Sequence, residues 1–389
     1  VKAHLEDRPG RRIEEDARVR VAHLVDTLHP DGSETGLVAL AGAAEPAGLE
    51  LVVVAISGNA NTPPAERLRR SGATVVELGV APWDPRALPR AAEILRGLDV
   101  ALIHTHMPNA DVLGGALGAR LRIPVVSTLH LIHDEPADRL DRVRRTAKVF
   151  ARKRFVTRSI AISELQRDWY ARVAGSGHGL VVLPDGVTDP GPVPPEAISR
   201  IRTRLGAADD GLLAVSAAPM RRGKGQDMLL DAVAELPADS PWTVVLTGDG
   251  PLRAWLEARV SRDDALRDRL LFAPHEDPAG MLAAADLQLH TTRADAMPSV
   301  VVRGLAAGVP AIVTRVGGLP EIVTRDTGVV VPLDAGAITA AMIRLGGDDA
   351  LRAEMGRAAR ARYLERFEAV GWAKRLREVY DAVLDPVPA

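Results

Sequence analysis

The sequence predicts an α/β fold built of two doubly wound, parallel-sheet domains, on three observations. Short β-branched runs alternate with Ala/Leu/Arg stretches of helical period through the first half of the chain. The alternation stops at a Pro/Gly-rich break and then starts again. Strands separated by helices need right-handed crossovers, so the economical sheet is parallel.

In order, the first half offers strands at Val19–Val25, Leu51–Ile56, Thr74–Leu78, Val100–His104, Val125–Leu129, Ser159–Ile162 and Leu180–Leu183, with helical stretches between them. Pro184, Pro190, Pro192, Pro194 and Pro195, with Gly186 and Gly191, then interrupt the pattern and mark a domain boundary. Beyond it, strands are predicted at Leu212–Ser216, Thr243–Thr247, Leu270–Phe272, Leu287–His290, Ala311–Thr314 and Val329–Val331. Helices fall near Gln226–Leu236, Pro251–Arg262, Met281–Ala285, Ser299–Ala307 and Gly336–Leu345. A last helical region, Ala350–Leu384, is long enough to return to the first domain. The expected organisation is a Rossmann-like domain over residues 1–188, completed by a C-terminal helix at about 360–389, and a second over 189–359. Open parallel sheets bind ligands at the carboxyl ends of their strands, which directs attention to the loops there and to a cleft between the domains.

Composition narrows the function. The 389 residues are 47% hydrophobic, enough to bury cores for two domains of ordinary size. Charge is balanced, 49 Lys+Arg against 51 Asp+Glu, and aromatic residues make up only 3%, so there is neither a global field nor a stacking surface for nucleic acid. No apolar run approaches a membrane span, and Val1–Arg20 lacks a signal-peptide core, so the chain is expected to be globular and cytoplasmic. With no cysteine, thiolate nucleophiles, disulfides and Cys-ligated metals are excluded.

Several strand-end loops carry candidate chemistry. Asp26–Gly36 (DTLHPDGSETG) could bring Gly32 and the amides beside Ser33 to a phosphate or sugar, or could be an ordinary turn; it is neither a GxGxxG fingerprint nor a P-loop. His104 and His106 stand at a strand end, and His130 and His133 follow the next strand. Their spacing completes no recognised metal site, so a polar contact from His130 to a substrate is preferred over zinc. Ser216–Gln226 (SAAPMRRGKGQ) places Lys224 between two glycines where a helix begins, suited to a diphosphate. Thr247–Pro251 (TGDGP) reads as a bend, and Val316–Glu321 (VGGLPE) as either a loop cap or a ligand loop. Asp138–Arg158 is a basic amphipathic stretch, read first as a helix packed on its own sheet, with peripheral membrane contact left open.

Taken in order, DGSE, HTHMPNADVLGG (His104–Gly115), PVVSTLH, AISE, LPDGV, GKGQDMLLDA, TGDGP, LAAADLQLHTTRADAMPS (Leu282–Ser299), AAGVPAIVTRVGGLPEIV and TGVVVP resemble glycosyltransferase family 4 over nearly the whole chain. That resemblance implies a GT-B fold and a retaining, metal-independent hexosyltransferase that needs no cofactor. Its partners would be an NDP-sugar, UDP-linked, and a small polar acceptor alcohol such as an aminocyclitol or inositol. It assigns the donor mainly to the second domain, the donor-binding residues being Gly32 and Ser33 of the first and Arg221, Arg222, Lys224, Phe272, Asp295, Ala296, Met297, Pro298, Ser299, Val300 and Arg303 of the second. The acceptor falls to the first, with His104, His106, Asn109 and His130. His130, Asp295 and Lys224 would be catalytic: Lys224 and the positive helix start steady the leaving diphosphate. The family's two glutamates, eight residues apart, are here Asp295 and Arg303, and its usual basic residue five positions before the lysine is Pro219. An arginine cannot accept a ribose hydroxyl proton, so a donor with added negative charge, a GT-B-like isomerase or phosphorylase, and a non-catalytic binding subunit stand as alternatives.

Overall fold

The computed structural model describes residues 18–28, 34–58, 62–81, 84–130, 146, 149–150, 152–175, 179–207, 211–274 and 278–385. Its contacts divide the chain into two compact units. One runs up to Ile162 and adds Arg167–Gly186 and the stretch from Ala369 on; the other comprises Ser163–Gln166 and Val187–Glu368.

The first unit contains β1 (Val19–Val25), α1 (Glu34–Ala43), β2 (Leu49–Ala55), α2 (Pro63–Arg70), β3 (Thr74–Glu77), α3 (Ala87–Gly97), β4 (Leu102–His106), α4 (Pro108–Leu121), β5 (Val125–Leu129), β6 (Arg158–Ala161), α5 (Glu164–Ala174) and β7 (Leu180–Val182). Its seven strands pair in parallel in the order β3-β2-β1-β4-β5-β6-β7. The helices cover both faces, so β4 and β5 are buried at every residue, and apolar runs take the place of alternation.

The second unit contains α6 (Pro195–Arg204), β8 (Leu212–Ala217), α7 (Gln226–Ala234), β9 (Trp242–Thr247), α8 (Arg253–Arg262), α9 (Asp264–Arg267), β10 (Leu270–Ala273), α10 (Ala279–Ala284), β11 (Leu287–His290), α11 (Ser299–Ala306), β12 (Ala311–Thr314), α12 (Leu319–Ile322), β13 (Gly328–Val331), α13 (Ala335–Gly346) and α14 (Asp349–Arg366). Six parallel strands take the order β10-β9-β8-β11-β12-β13. The chain then returns to the first unit as α15 (Ala369–Leu384).

The single helical region predicted over Ala350–Leu384 is therefore two helices. The break at Phe367–Glu368 is fastened to the strand-like linker, where Val187 N donates to Phe367 O at 2.8 Å and Tyr363 Oη to Val187 O at 2.8 Å. In the first unit, Trp372, Leu376 and Tyr380 of α15 join the core formed by Leu37 and Leu40 of α1 and the β1–β2 strands. Truncating Leu376 to Ala is expected to cost about 2–5 kcal/mol.

β4 begins two residues later than the sequence predicts. The register Ile103↔Val125, His104↔Val126, Thr105↔Ser127, His106↔Thr128 draws both histidines into the strand, where the sequence predicts His104 as its last residue and His106 beyond it. In the basic stretch 138–158, residues 138–145, 147–148 and 151 lie outside the described residues. Arg152 faces inward, paired with Asp111 of α4 and lying 5.2 Å from the Tyr170 ring centroid of α5, and Val149 packs in one cluster with Leu129 and Ala161 of the strands. Among the described residues no helix is long and apolar enough to cross a membrane.

Candidate active site

In each sheet the strand order reverses once, between β1 and β4 in the first and between β8 and β11 in the second. Loops leaving adjacent strands there diverge to opposite faces and open a crevice, the preferred ligand position of doubly wound folds. Each reversal carries a cluster of polar side chains.

In the second unit the loops after β8, β11 and β12 are tied into one platform. Gly225 adopts φ +67°, and a Cβ there would sit 2.1 Å from Thr291 O. This close approach lets Thr291 Oγ1 donate to Gly225 O (3.1 Å), Thr292 Oγ1 to Gly223 O (2.9 Å) and Arg293 N to Gly223 O (2.8 Å). Gly317, at φ +52°, would place a Cβ 1.5 Å from Asp295 O, so the second glycine-rich loop braces the Asp295 turn from behind, and Gly318 N donates to Ala296 O at 2.8 Å.

On this platform Lys224 Nζ lies 2.5 Å from Asp295 Oδ2, and His290 Nε2 lies 3.3 Å from the same oxygen. Burial pushes the Asp295 carboxyl up, but the hydrogen bond from His290 and the charge of Lys224 outweigh it and hold the group below the usual carboxylate range. An ammonium and a carboxylate thus stay charged in a mostly enclosed place. Immediately downstream α11 starts at Pro298–Ser299 with no side-chain cap. Val301 N donates to Pro298 O at 3.0 Å, and the N–H groups of Ser299 and Val300 ahead of it can meet an anion, aided by the helix dipole.

The remaining donor-site candidates sit around this centre. Met297 and Val300 pack partly into the core beneath, and Ser299 is exposed at the helix start. Arg221 and Arg222 are exposed on the loop before Lys224. Phe272 lies near the end of β10 with the Arg253 guanidinium 5.8 Å from its ring centroid, and Arg253 is anchored on Gly248 O. Arg303 is half-buried in α11. Gly32, Ser33 and His133 lie outside the described residues.

The first unit's cluster is a line of imidazoles. His23 Nδ1 is 3.0 Å from His106 Nε2, and His106 Nδ1 is 2.9 Å from His130 Nε2. His130 Nδ1 is 3.6 Å from Asp185 Oδ2. Beside the line, His104 bonds Tyr380 Oη at 2.6 Å and Thr128 Oγ1 at 2.8 Å. Burial lowers all four histidines, His23 to about 3, so the rings are neutral; for His130 the nearby Asp185 and Asp111 carboxylates oppose the trend without reversing it. Burial raises Asp185, with His130 opposing.

His104 and His106, expected to contact an acceptor, stand in the wall of a small pocket that His130 also lines. Drawn into β4, both are buried, and each has its two ring nitrogens committed to neighbours within the unit. One nitrogen each of His23, His104 and His106 lies within 4.8 Å of the others. Those of His104 and His106 are already engaged, His104 by Tyr380 and Thr128 and His106 by His23 and His130, so the trio is not an open ligand set. His130 differs. Its side chain keeps 12% exposure where it borders the same pocket with Gly36, Asp185 and Trp372.

Asn109 faces a separate pocket of about 310 Å³ at the carboxyl ends of β1 and β2, walled by Ile56, Leu88, Val112 and Leu113 and edged by Asp26, Ser57 and Asp84. Asn109 Nδ2 donates to Asp26 Oδ2 at 3.0 Å, and Ala110 N to its other oxygen at 3.1 Å. Arg86 holds Asp84 down at about 2 through its side chain and backbone N–H.

The structure therefore joins Lys224 with Asp295, and His106 with His130, and separates Asn109 from the histidines. Sequence reasoning passed over His23, hidden inside an apolar strand, and His290, Asp26 and Tyr380. Asp185 stood within the quoted LPDGV but carried no role.

Residues 30–189 match the family model described as Glycosyltransferase Family 4, and residues 210–348 match Glycosyl transferases group 1. The chain is 28% identical over 281 residues to the 2-deoxystreptamine glucosyltransferase of Streptomyces kanamyceticus, covering 68% of this chain and 72% of that one. It is 29% identical over 299 residues to the D-inositol 3-phosphate glycosyltransferase of Streptomyces bingchenggensis, covering 70% and 64% respectively. Its fold matches the crystal structure of Anabaena HepE in complex with UDP at a TM-score of 0.82 and 22% identity, over 94% of this chain and 100% of that one.

Proposed function

This chain belongs to glycosyltransferase family 4 with the GT-B pair of Rossmann-like domains, and from that premise we propose that it is a metal-independent, retaining hexosyltransferase using a UDP-sugar and a small polyhydroxylated acceptor. The observation that carries the reading is the Lys224–Asp295 pair set beside the uncapped start of α11. An arriving diphosphate replaces Asp295 as the partner of Lys224 and takes the N–H groups at Ala296–Val300, while Asp295, steadied by His290, turns to the hexose hydroxyls. Arg221 or Arg222 supplies the cation that Pro219 cannot, and Phe272 lies on the nucleoside side.

The acceptor binds on the first domain. The Asp26–Asn109 pocket, carboxylate-edged with an apolar wall, supports a cyclitol, and the named substrates of the two curated relatives, 2-deoxystreptamine and inositol 3-phosphate, support the same class. In the transfer step the acceptor oxygen attacks the anomeric carbon on the face the diphosphate leaves. The new C–O bond forms as the C–O bond to phosphate breaks, and the acceptor proton passes to the departing phosphate oxygen, so no protein nucleophile is required. His130 donates a hydrogen bond to a hydroxyl of the donor sugar.

The test is UDP titration by calorimetry in EDTA on the wild type and Lys224→Ala, followed by turnover of UDP-glucose with 2-deoxystreptamine and with inositol. UDP binding that vanishes in the variant, and an α-linked product by NMR, are expected. Turnover without an acceptor, or only with inorganic phosphate, would replace this reading with an isomerase or phosphorylase. Arg303, in the place of a ribose-binding carboxylate, favours a second donor reading, a nucleotide bearing an extra phosphate, and the same titration separates it from UDP.

A further inference from the structure

His130 has two ring nitrogens and one proton to place between them, and the choice decides what it offers a ligand. The line of imidazoles settles that choice from its far end. Among the described residues, His23 Nε2 is buried with no hydrogen-bond partner. A buried N–H left without an acceptor is the rarer and costlier state, and a bare lone pair the cheaper one, so the proton of His23 sits on Nδ1. Nδ1–H of His23 then donates to His106 Nε2, 3.0 Å away, which forces the His106 proton onto Nδ1. That N–H donates to His130 Nε2 at 2.9 Å, which forces the His130 proton onto Nδ1 in turn. At 3.6 Å, Asp185 Oδ2 is too far to consume this last N–H but near enough to orient it.

We propose that His23 and His106 are positioning residues that lock His130 as an Nδ1–H donor facing the small pocket it shares with Asp185. The use made of that donor, a contact to a sugar hydroxyl, rests on the function proposed above; the tautomer itself does not. The groups facing His130 are His106 from β4, Asp185 after β7, Asp111 of α4 and its partner Arg152. His104 is not part of the line, since Tyr380 and Thr128 hold both its nitrogens.

The experiment reads tautomers directly, by long-range ¹H–¹⁵N correlation on histidine-labelled full-length protein between about pH 5 and 8. His23, His106 and His130 are expected to be neutral and protonated on Nδ1. An Nε2–H His130, or an imidazolium at pH 6, would overturn the proposal. Two variants then separate relay from packing. His23→Asn keeps an N–H near the position of Nδ1 and should preserve the His130 Nδ1–H signal, whereas His23→Leu removes the donor and should give a tautomer mixture. If the competent tautomer falls to a tenth, the transfer rate falls about tenfold with the donor KM unchanged, and His23→Asn recovers most of that loss. Packing alone would rank Leu above Asn at a buried site, so an equal or reversed order refutes the relay. A preserved tautomer pattern without any transferase activity would count against the function and leave the relay standing.

Discussion

The two sheets reverse their strand order at equivalent places, yet the side chains gathered there follow opposite electrostatic rules. At the β8/β11 reversal an ammonium and a carboxylate remain charged, because each is the other's partner and His290 donates to the carboxylate as well. At the β1/β4 reversal three imidazoles, with a fourth just after β5, are too buried to hold a proton charge; His23, His106 and His130 bond one another in line as neutral rings, and His104 bonds Tyr380 and Thr128 beside them. A charged pair can trade partners with an arriving anion. A neutral relay can only aim a hydrogen bond. The contrast matches the labour expected of the two domains in a glycosyl transfer, one gripping a diphosphate and the other orienting hydroxyls.

The largest effect should come from breaking the charged side. Lys224→Ala removes the phosphate partner and leaves Asp295 mostly buried with only His290, and UDP affinity is expected to drop at least ~100-fold, from the loss of a charge-assisted contact in an enclosed site. Asp295→Asn sharpens the point. It frees Lys224 from its internal competitor, so UDP should bind as tightly as to wild type or a few-fold tighter while transfer from UDP-glucose collapses. If both variants weaken UDP equally, Lys224 and Asp295 serve as structural partners and the exchange does not occur.

On the neutral side, His130→Ala is expected to lower the transfer rate about 100-fold with UDP affinity unaltered, the magnitude of losing one preorganised donor. Calorimetry and initial rates on the same preparation check both halves. A parallel loss of UDP binding would contradict the division between the domains.

Acid stability separates the clusters without any substrate. The folded state holds His23 at about 3 while an unfolded histidine takes up its proton near 6.5. Between those values the unfolded chain therefore binds one more proton, so stability rises with pH and is lost on acidification through that window, at about 1.4 kcal/mol per pH unit for a fully buried ring. His104, His106 and His130 shift in the same direction and steepen the slope. Asp295 shifts with the same sign, since its carboxyl too is held below its unfolded value, but its window lies at lower pH. Its depressed carboxyl contributes above the unfolded carboxylate value and loses that contribution only as pH falls toward its own lower one. Urea unfolding from about pH 6.5 to pH 4.5 should show a slope that His23→Asn reduces by about 1.4 kcal/mol per pH unit, and that Asp295→Asn leaves unchanged.

What the sequence revealed follows from how each feature is encoded. Strands β1, β5, β11 and β12 have the predicted boundaries, because buried parallel strands are written as short runs rich in Val, Ile and Leu, each here flanked on one side by Pro or Asp. Lys224 and Asp295 were legible since both lie on loops leaving strands, where a charged residue has no reason to be unless it is solvated or used. Their mutual contact, 71 residues apart in sequence, was not. The imidazole line was less legible still. His23 looks like an exception inside VRVAHLV, and only the parallel pairing His23↔His104 reveals that a second histidine strand lies beside it. A two-residue difference in where β4 begins was enough to make His104 and His106 read as surface ligands when they are interior parts.

The smallest expected effect tests Arg303. At the place where the family carries a carboxylate for ribose hydroxyls, a guanidinium offers donors only, so a ribose that would donate meets the wrong chemistry. Restoring the acid in Arg303→Glu is expected to tighten UDP about tenfold, near 1.4 kcal/mol. It should also weaken any nucleotide that carries an additional ribose phosphate, since the same side chain then repels it. A gain for UDP with a loss for the phosphorylated analogue would place residue 303 at the ribose. No change for either would mean that the eight-residue spacing from Asp295 does not carry the second contact to the nucleotide in this chain, and the charged side of the comparison would then rest on Lys224, Asp295 and the start of α11 alone.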